Sequence, residues 1–334
     1  MLDRGMSVLV ALSDGAVLFE AQERARVRLA GPDARAFLHR MSTNHVSEVA
    51  VGQGKLNVLT TDKGRVVDLL LHLDRGEDGV LLIGSPGRGP VITAWLDRYL
   101  FSERVELSDL SSTGSACEIA GTHAPALVEA LVPTSSGQPP WGFCEKDGVI
   151  VVRDFDRVDA AGERVPCFLI VTSFAAGDGV AAMLSAARAS ADESEAARIG
   201  AGVPALTSGE RGELVEKHNP LDLGLHDAIH WNKGCYIGQE VIARLDTYQR
   251  QRKMLVALTV APADRARLLP GAPVIVDEAV VGEITSVSPM CFAARPNALA
   301  VGKFAGSHAA QVRIGDEVIH ATVDLPAVAQ LPHT

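Results

Sequence analysis

Aromatic side chains are scarce here, 4% of 334 residues, so any core has to be built from aliphatic side chains. A long apolar run is missing at the N-terminus: Val8 to Leu12 is broken at once by Ser13-Asp14-Gly15, too short for a signal sequence or a membrane span. A cytoplasmic protein with no membrane partner is expected. An excess of basic charge is missing too. With 31 Lys and Arg against 41 Asp and Glu, the formal charge is −10. The sequence pI is near 5.5. That balance argues against a broad basic face for a nucleic-acid backbone.

Paired cysteines are the last absence. Cys117, Cys144, Cys167, Cys235 and Cys291 are scattered, odd in number and contain no CxxC. This argues against a disulfide framework and matches no four-thiolate spacing for zinc or an iron–sulfur cluster. A cluster held by this chain needs shared or external ligands. What remains, 47% hydrophobic and 22% charged residues, is the profile of a globular protein of two or three domains.

The first hundred residues mix two periods. Arg26–Ala30 reads as a strand, and Gly31-Pro32-Asp33 opens a helix whose Ala34, Phe37, Leu38 and Met41 recur at helical spacing. Leu56–Thr61 and Val66–Leu73 read as a hairpin around Asp62-Lys63-Gly64, followed by a strand at Gly79–Gly84 and a helix at Val91–Leu100. Residues 113–200 repeat the mixture: a helix at Ala124–Leu131, strands at Val149–Phe155 and Cys167–Ser173, and an Ala-rich helix at Ala175–Ala189. Beyond 253, six short strands separated by Gly or Pro turns predict a small antiparallel barrel. The domains expected are 1–112, 113–200, a connecting segment 201–250, and a barrel 251–334.

The most informative stretch runs from Trp231 to Leu245. Ile229–Asn232 reads as a strand end, Lys233-Gly234 as a turn, and Val241, Ile242 and Leu245 as one face of a helix. Cys235 then lies just ahead of a helix N-terminus and two residues after a lysine, two influences that favour a thiolate. A lone cysteine between glycines is equally a small buried hydrophobe, and Glu240 with Arg244, four apart, taken alone favours a surface pair.

Lys233-Gly-Cys-Tyr-Ile-Gly-Gln-Glu240 resembles the K-G-C-Y-x-G-Q-E signature of the YgfZ family, folate-binding relatives of the glycine-cleavage T-protein that support iron–sulfur enzymes. The resemblance spans most of the chain: Leu29-Ala-Gly-Pro-Asp33 through Leu38, Ser42-Thr-Asn44, Lys63-Gly-Arg-Val-Val-Asp68, Asn219–Leu225 and Gly282-Glu-Ile-Thr-Ser286. It implies an α+β fold, a three-domain T-protein-like ring of two α/β domains of ferredoxin-like character plus a C-terminal barrel, around a tetrahydrofolate pocket. It also implies iron–sulfur client proteins or assembly machinery as partners.

Carried onto this sequence, Cys235 is the transient ligand or nucleophile and Lys233 its neighbouring cation. Tyr236 and Gln239 shape the site, Glu240 and Arg244 brace it, and Asp68 faces the folate. Spacing alone favours a solvent-facing strand residue at Asp68. One departure stands out. Where T-protein-like chains carry R-x-E-A-G, this one has Arg198-Ile-Gly-Ala-Gly202, with Gly200 in place of a glutamate that grips the pterin. Two other functions stay open: a tetrahydrofolate-dependent aminomethyl or methyl transferase, and a binding or scaffold protein without chemistry.

Three further patterns invite weaker readings. His226-Asp-Ala-Ile-His230 resembles the zincin H-E-x-x-H but lacks the helix that aims two imidazoles at one metal. Gly84–Pro90 offers a strand-to-helix turn with the form of a phosphate cradle. Arg244, Arg250, Arg252 and Lys253, with Arg24, Arg26 and Arg28, are either solvated faces or one groove for a folate's glutamate tail or an RNA backbone.

Overall fold

A computed structural model describes residues 4–21, 24–159, 161–173, 180, 183–207, 211–247, 253–290, 295–304, 306 and 308–324. A helix, Arg4–Asp14, leads into β1 (Val17–Glu20). The first sheet follows: β2 (Arg24–Ala30), β3 (Gly54–Thr60), β4 (Val66–Asp74), β5 (Val80–Pro86) and β6 (Glu106–Asp109), in the order β3-β4-β5-β2-β6. Its pairs are all antiparallel. The helix Ala34–Met41 buries the four apolar residues that its spacing selects, Ala34, Phe37, Leu38 and Met41. With the helix Gly89–Asp97 it covers one face of this sheet around Val27, Leu70 and Leu82.

The second sheet takes β7 (Ser115–Ala120), β8 (Phe143–Lys146), β9 (Val149–Val158), β10 (Arg164–Thr172) and β11 (Ala187–Arg188), in the order β11-β1-β7-β10-β9-β8. Strand β1 pairs antiparallel with β7 and parallel with β11. Residues 4–20 thus complete the second sheet, although sequence order places them with the first. Alternation decides the layers. Leu71, Leu73, Leu81 and Ile83 of the first sheet meet Phe143, Ile150 and Val152 of the second in one apolar cluster. Opposite residues of the second sheet, Ile119, Val151 and Phe168, pack under the helix Ala124–Leu131. The result is two sheets face to face with helices outside, a layered solution that buries both faces of each sheet.

The helix Ala191–Gly200 is capped by Ser190 and Glu193 in a reciprocal capping box. Two short strands follow, β12 (Leu206–Thr207) and β13 (Arg211–Gly212), then 3-10 turns and the helix Gln239–Thr247. The last six strands, β14 (Met254–Val260), β15 (Pro273–Val276), β16 (Ala279–Val287), β17 (Ala298–Gly302), β18 (Ala309–Ile314) and β19 (Glu317–Asp324), close into a barrel. Val256, Leu258, Ala300 and Val312 fill its inside. The alternate residues Leu255, Ala257, Leu299 and Val301 pack outward on Leu56 and Val58 of the first sheet, through Leu214, Leu223 and Leu225 of the connecting segment. The expected α+β units and the C-terminal barrel are both present.

Two local expectations are corrected. Ala187 and Arg188 form strand β11 rather than the end of an Ala-rich helix, because β1 offers them a free edge; residues 175–179, 181 and 182 of that expected helix lie outside the described residues. Ile229–Asn232 is not a strand but the exit from a 3-10 turn, His226–Ala228, whose carbonyls are taken by the Ser42–Asn44 loop. No described helix is long and apolar enough to cross a membrane.

Candidate functional site

A cavity of about 580 Å³ lies between the two sheets, the Ala191–Gly200 helix and the connecting segment. Leu69, Leu71, Gly84 and Ser85 line it from the first sheet, and Phe19, Glu118, Asp154 and Phe155 from the second. Ala191, Ser194, Glu195 and Arg198 line it from the helix, at the i, i+3, i+4, i+7 spacing of one face. Gly200 sits about 200° further round than Arg198 and lines nothing here. A Cβ at Gly200 meets no atom within 4 Å. The missing glutamate therefore belongs to a different side of this helix from the cavity.

Asp68 is fully buried, not solvent-facing, and does not itself line the cavity. Ser85 connects them: its hydroxyl donates to Asp68 Oδ1 at 2.6 Å while its residue forms part of the wall. Arg88 Nε stands 3.7 Å from Oδ2. Burial pushes the Asp68 carboxyl up to about 6, against the opposing pull of Ser85 and Arg88. An acid in that range gains and loses its proton near neutrality.

The KGCYIGQE loop lies elsewhere. No residue from 233 to 244 lines the cavity. Lys233 is buried, and its Nζ donates to the carbonyls of His39, Ser42 and Asn44, each at 2.6 Å. Three N–H bonds meet three acceptors, so none is left for the thiol at Cys235. His39 lies in the last turn of the Ala34–Met41 helix and Ser42 is its C-cap, where carbonyl dipoles favour a cation. Burial pushes the Lys233 ammonium down to about 7.

Tyr236 packs with Leu221, Ile229 and Ile242, and burial pushes its phenol up to about 12. Gly238 touches the β3–β4 hairpin so closely that a Cβ would stand 2.5 Å from Thr61 O. It adopts φ +82°, and the Ile237 carbonyl accepts from the Thr60 hydroxyl at 2.6 Å. Gln239 opens the helix and is half-buried. Glu240 and Arg244 form an exposed ion pair at 2.5 Å, the surface reading of that spacing, worth about 0.3–0.5 kcal/mol. Cys235 is exposed. Its loop is thus clamped on both sides of the cysteine while the cysteine itself faces solvent.

Arg24, one of the arginines weighed for a groove, converges on the cavity with three residues that the sequence had not singled out, Glu118, Asp154 and Arg157. Arg24 Nη1 meets Glu118 Oε1 at 3.2 Å and its Nε donates to Gly84 O at 3.1 Å. Arg157 pairs with the other oxygen of Glu118. Burial raises the Asp154 carboxyl pKa, and the nearby Glu118 charge adds to it. The available signal was a charge inside otherwise apolar strands, Glu118 in β7 and Asp154 and Arg157 in β9. Glu213, fully buried, is a second such node: it accepts from Thr285 and Ser286 at 2.6 Å each and from Arg198 at 3.2 Å. The Gly282–Ser286 motif therefore ties the barrel to the Ala191–Gly200 helix.

The weaker patterns resolve structurally. His226–Ala228 is a single 3-10 turn, so no α-helix aligns His226 with His230. Asp109 and Ser111 lie against Gly89, so the helix after the Gly84–Pro90 turn starts beside a carboxylate of this chain. The Arg26 guanidinium is buried on the carbonyls of Leu110, Ser111 and Thr113. Arg28 reaches Asp78 O, and Arg250 and Arg252 lie outside the described residues.

The family model described as the GCVT N-terminal domain matches residues 9–153. A chloroplastic protein of Arabidopsis thaliana, named as a putative transferase, is 29% identical over 298 residues. That alignment covers 85% of this chain and 64% of the relative, so the chain spans less than two thirds of that relative's length. The aminomethyltransferase of Symbiobacterium thermophilum is 26% identical over 301 residues, covering 83% of this chain and 76% of that protein. The aminomethyltransferase of Herpetosiphon aurantiacus is 26% identical over 321 residues, covering 92% and 83%. Among solved structures, aminomethyltransferase T of the glycine cleavage system from Bartonella henselae superposes with a TM-score of 0.78 at 17% identity, covering 97% of this chain and 89% of that one. The fold is GcvT-like, with α/β domains and a closed six-strand barrel.

Proposed function

We propose that this chain is a folate-binding accessory protein of the YgfZ kind, which holds tetrahydrofolate in the cavity and offers Cys235 to iron–sulfur proteins or their assembly machinery. The supporting observation is the separation of two features: a cavity of about 580 Å³, within the size range of small-molecule sites, and an exposed cysteine on a clamped loop outside it. Trp141 and Phe155 meet edge to face at 4.5 Å on the cavity wall and suit a flat ring system. Arg24 and Arg198, already paired with acids, shape the wall rather than supply free charge. Folate, when bound, supplies one-carbon chemistry; the chain's own contribution there is Asp68, whose proton is linked to the wall by Ser85.

A second reading, a tetrahydrofolate-dependent aminomethyl or methyl transferase, is favoured by one specific observation: the Asp68 carboxyl, held near 6, is poised for proton exchange at neutral pH. Replacing the chromosomal copy with Cys235→Ser or Asp68→Ala separates the two. The accessory reading predicts that the cysteine variant lowers the activity of cluster-bearing enzymes several-fold while tetrahydrofolate binding is retained. Undiminished cluster enzymes with Cys235→Ser, together with loss of one-carbon turnover in Asp68→Ala, would establish the transferase instead.

A further inference from the structure

Three imidazoles meet away from the cavity, where the helix Ala34–Met41 and the segment before Cys235 come together. The His39 and His45 rings lie 4.6 Å apart between centroids, and the His45 and His230 rings 4.9 Å apart. The Val46 amide donates to His39 Nδ1 at 3.2 Å, and the Ser47 amide stands 3.5 Å from the same nitrogen. That nitrogen therefore carries no proton, and the ring is neutral. It holds the loop on which the Cys235 segment is fastened. The His230 amide donates to Thr43 O at 3.0 Å, the Thr43 hydroxyl to Ala228 O at 2.5 Å and the Asn44 side chain to Asp227 O at 2.8 Å. Lys233 adds its bonds to the carbonyls of His39, Ser42 and Asn44. Beyond Cys235 the fastening is of another kind: Ile237 packs on the first sheet's apolar cluster and its carbonyl accepts from Thr60, partners that do not titrate.

We infer that His39 is the catch of an acid-sensitive latch: a proton on its Nδ1 frees residues 42–47 and, with them, residues 228–234, while the Cys235 segment stays held at Ile237 and Gly238. The added proton turns an acceptor into a donor aimed at two amides. It also places positive charge where little offsets it. Lys233 from the connecting segment and Lys55 from β3 face the rings, and the facing carboxylate, Glu48, stands 3.4 Å from His45 Nε2 but is 81% exposed. His45 Nδ1 and His230 Nδ1 are shut off from solvent with no hydrogen-bond partner among the described residues, so no acceptor waits for a proton on either. Burial, with Lys233 beside it, accordingly pushes the His39 imidazole down to about 4, and burial lowers His230 as well. The neutral ring stabilises the closed loop above pH 6.5, and that stabilisation is lost as pH falls from 6.5 toward 4. The inference rests, for its purpose, on the reading of Cys235 as the thiol offered to a partner: acid gives that thiol reach while one end of its segment remains anchored.

Hydrogen exchange of the full chain at pH 7.5 and pH 5.5, corrected for intrinsic rates, tests this on the wild type and on His39→Asn, whose side-chain oxygen takes the place of Nδ1 and does not titrate in this range. In the wild type, opening of residues 42–47 and 229–234 is expected to rise about tenfold at pH 5.5, while Ala298–Gly302 of the barrel keeps its protection. His39→Asn is expected to show no such rise. Equal opening at the two pH values in the wild type, the same rise in His39→Asn, or a rise that includes the barrel strand overturns the latch. None of these readouts depends on iron–sulfur support, so the latch can fail while the role of Cys235, tested by Cys235→Ser, stands, and the reverse. Should His39→Asn fail to fold by circular dichroism, titration of the His39 ring by NMR in the wild type takes its place: a ring that titrates below about 6 supports the latch, and one that titrates at or above that value overturns it.

Discussion

Asp68 carries a strong residue-scale consequence. Its folded pKa, near 6, lies above the ordinary 3.8, so the folded state favours the neutral acid. The stability that follows is fully present below about pH 4 and is lost as pH rises toward 6, amounting to about 3 kcal/mol. Asp68→Asn, which resembles the neutral form, is therefore expected to stabilise the protein by up to about 3 kcal/mol at pH 7.5 and by almost nothing at pH 4, read from denaturant midpoints. An equal effect at both pH values would show that Asp68 is not held protonated by burial. Cys235 makes the opposite case. Its exposure predicts that Cys235→Ser shifts stability by under about 0.5 kcal/mol, so any loss of iron–sulfur support by that variant reflects the thiol and not the fold.

At the scale of elements, the loop holding Cys235 depends on anchors that sequence spacing conceals. The resemblance singled out Lys233 as a neighbour for the thiol, but the ammonium turns to carbonyls 189 to 194 residues away along the chain. Lys233→Met leaves those three carbonyls without their donor and is expected to cost about 2–4 kcal/mol, with faster hydrogen exchange along residues 231–238. Gly238→Ala meets both a left-handed φ and a backbone oxygen at 2.5 Å. The expected loss is about 2 kcal/mol or more, measured as a fall in denaturant midpoint. Unchanged stability in either variant would show that the loop is not clamped as described.

Elements with a strong period were legible beforehand: the Ala34–Met41 helix, the β3–β4 hairpin and the barrel strands all follow their apolar spacing. The two-residue strand β11 was hidden because an Ala-rich run carries little period, and only the edge of β1 selects its conformation. The cavity's charged wall was hidden for another reason. Glu118 and Arg157 meet across 39 residues of sequence, and their pairing exists only once β7, β10 and β9 lie side by side.

For the whole molecule, two sheets, a capped helix and a barrel share apolar clusters and enclose a cavity whose wall is charged but almost fully paired. A ligand bound only by the folded form stabilises it by mass action, about 2.7 kcal/mol at a hundredfold excess over Kd. Tetrahydrofolate is expected to raise the denaturant midpoint accordingly, and a ligand-independent midpoint at millimolar folate would count against the pocket. The most direct test is a crystal structure of the full chain grown with 5-formyltetrahydrofolate. The account predicts ligand density between the two sheets, with the ring against Trp141 and Phe155 and Cys235 still open to solvent. Folate bound at another surface, or an empty cavity at saturating ligand, would contradict it.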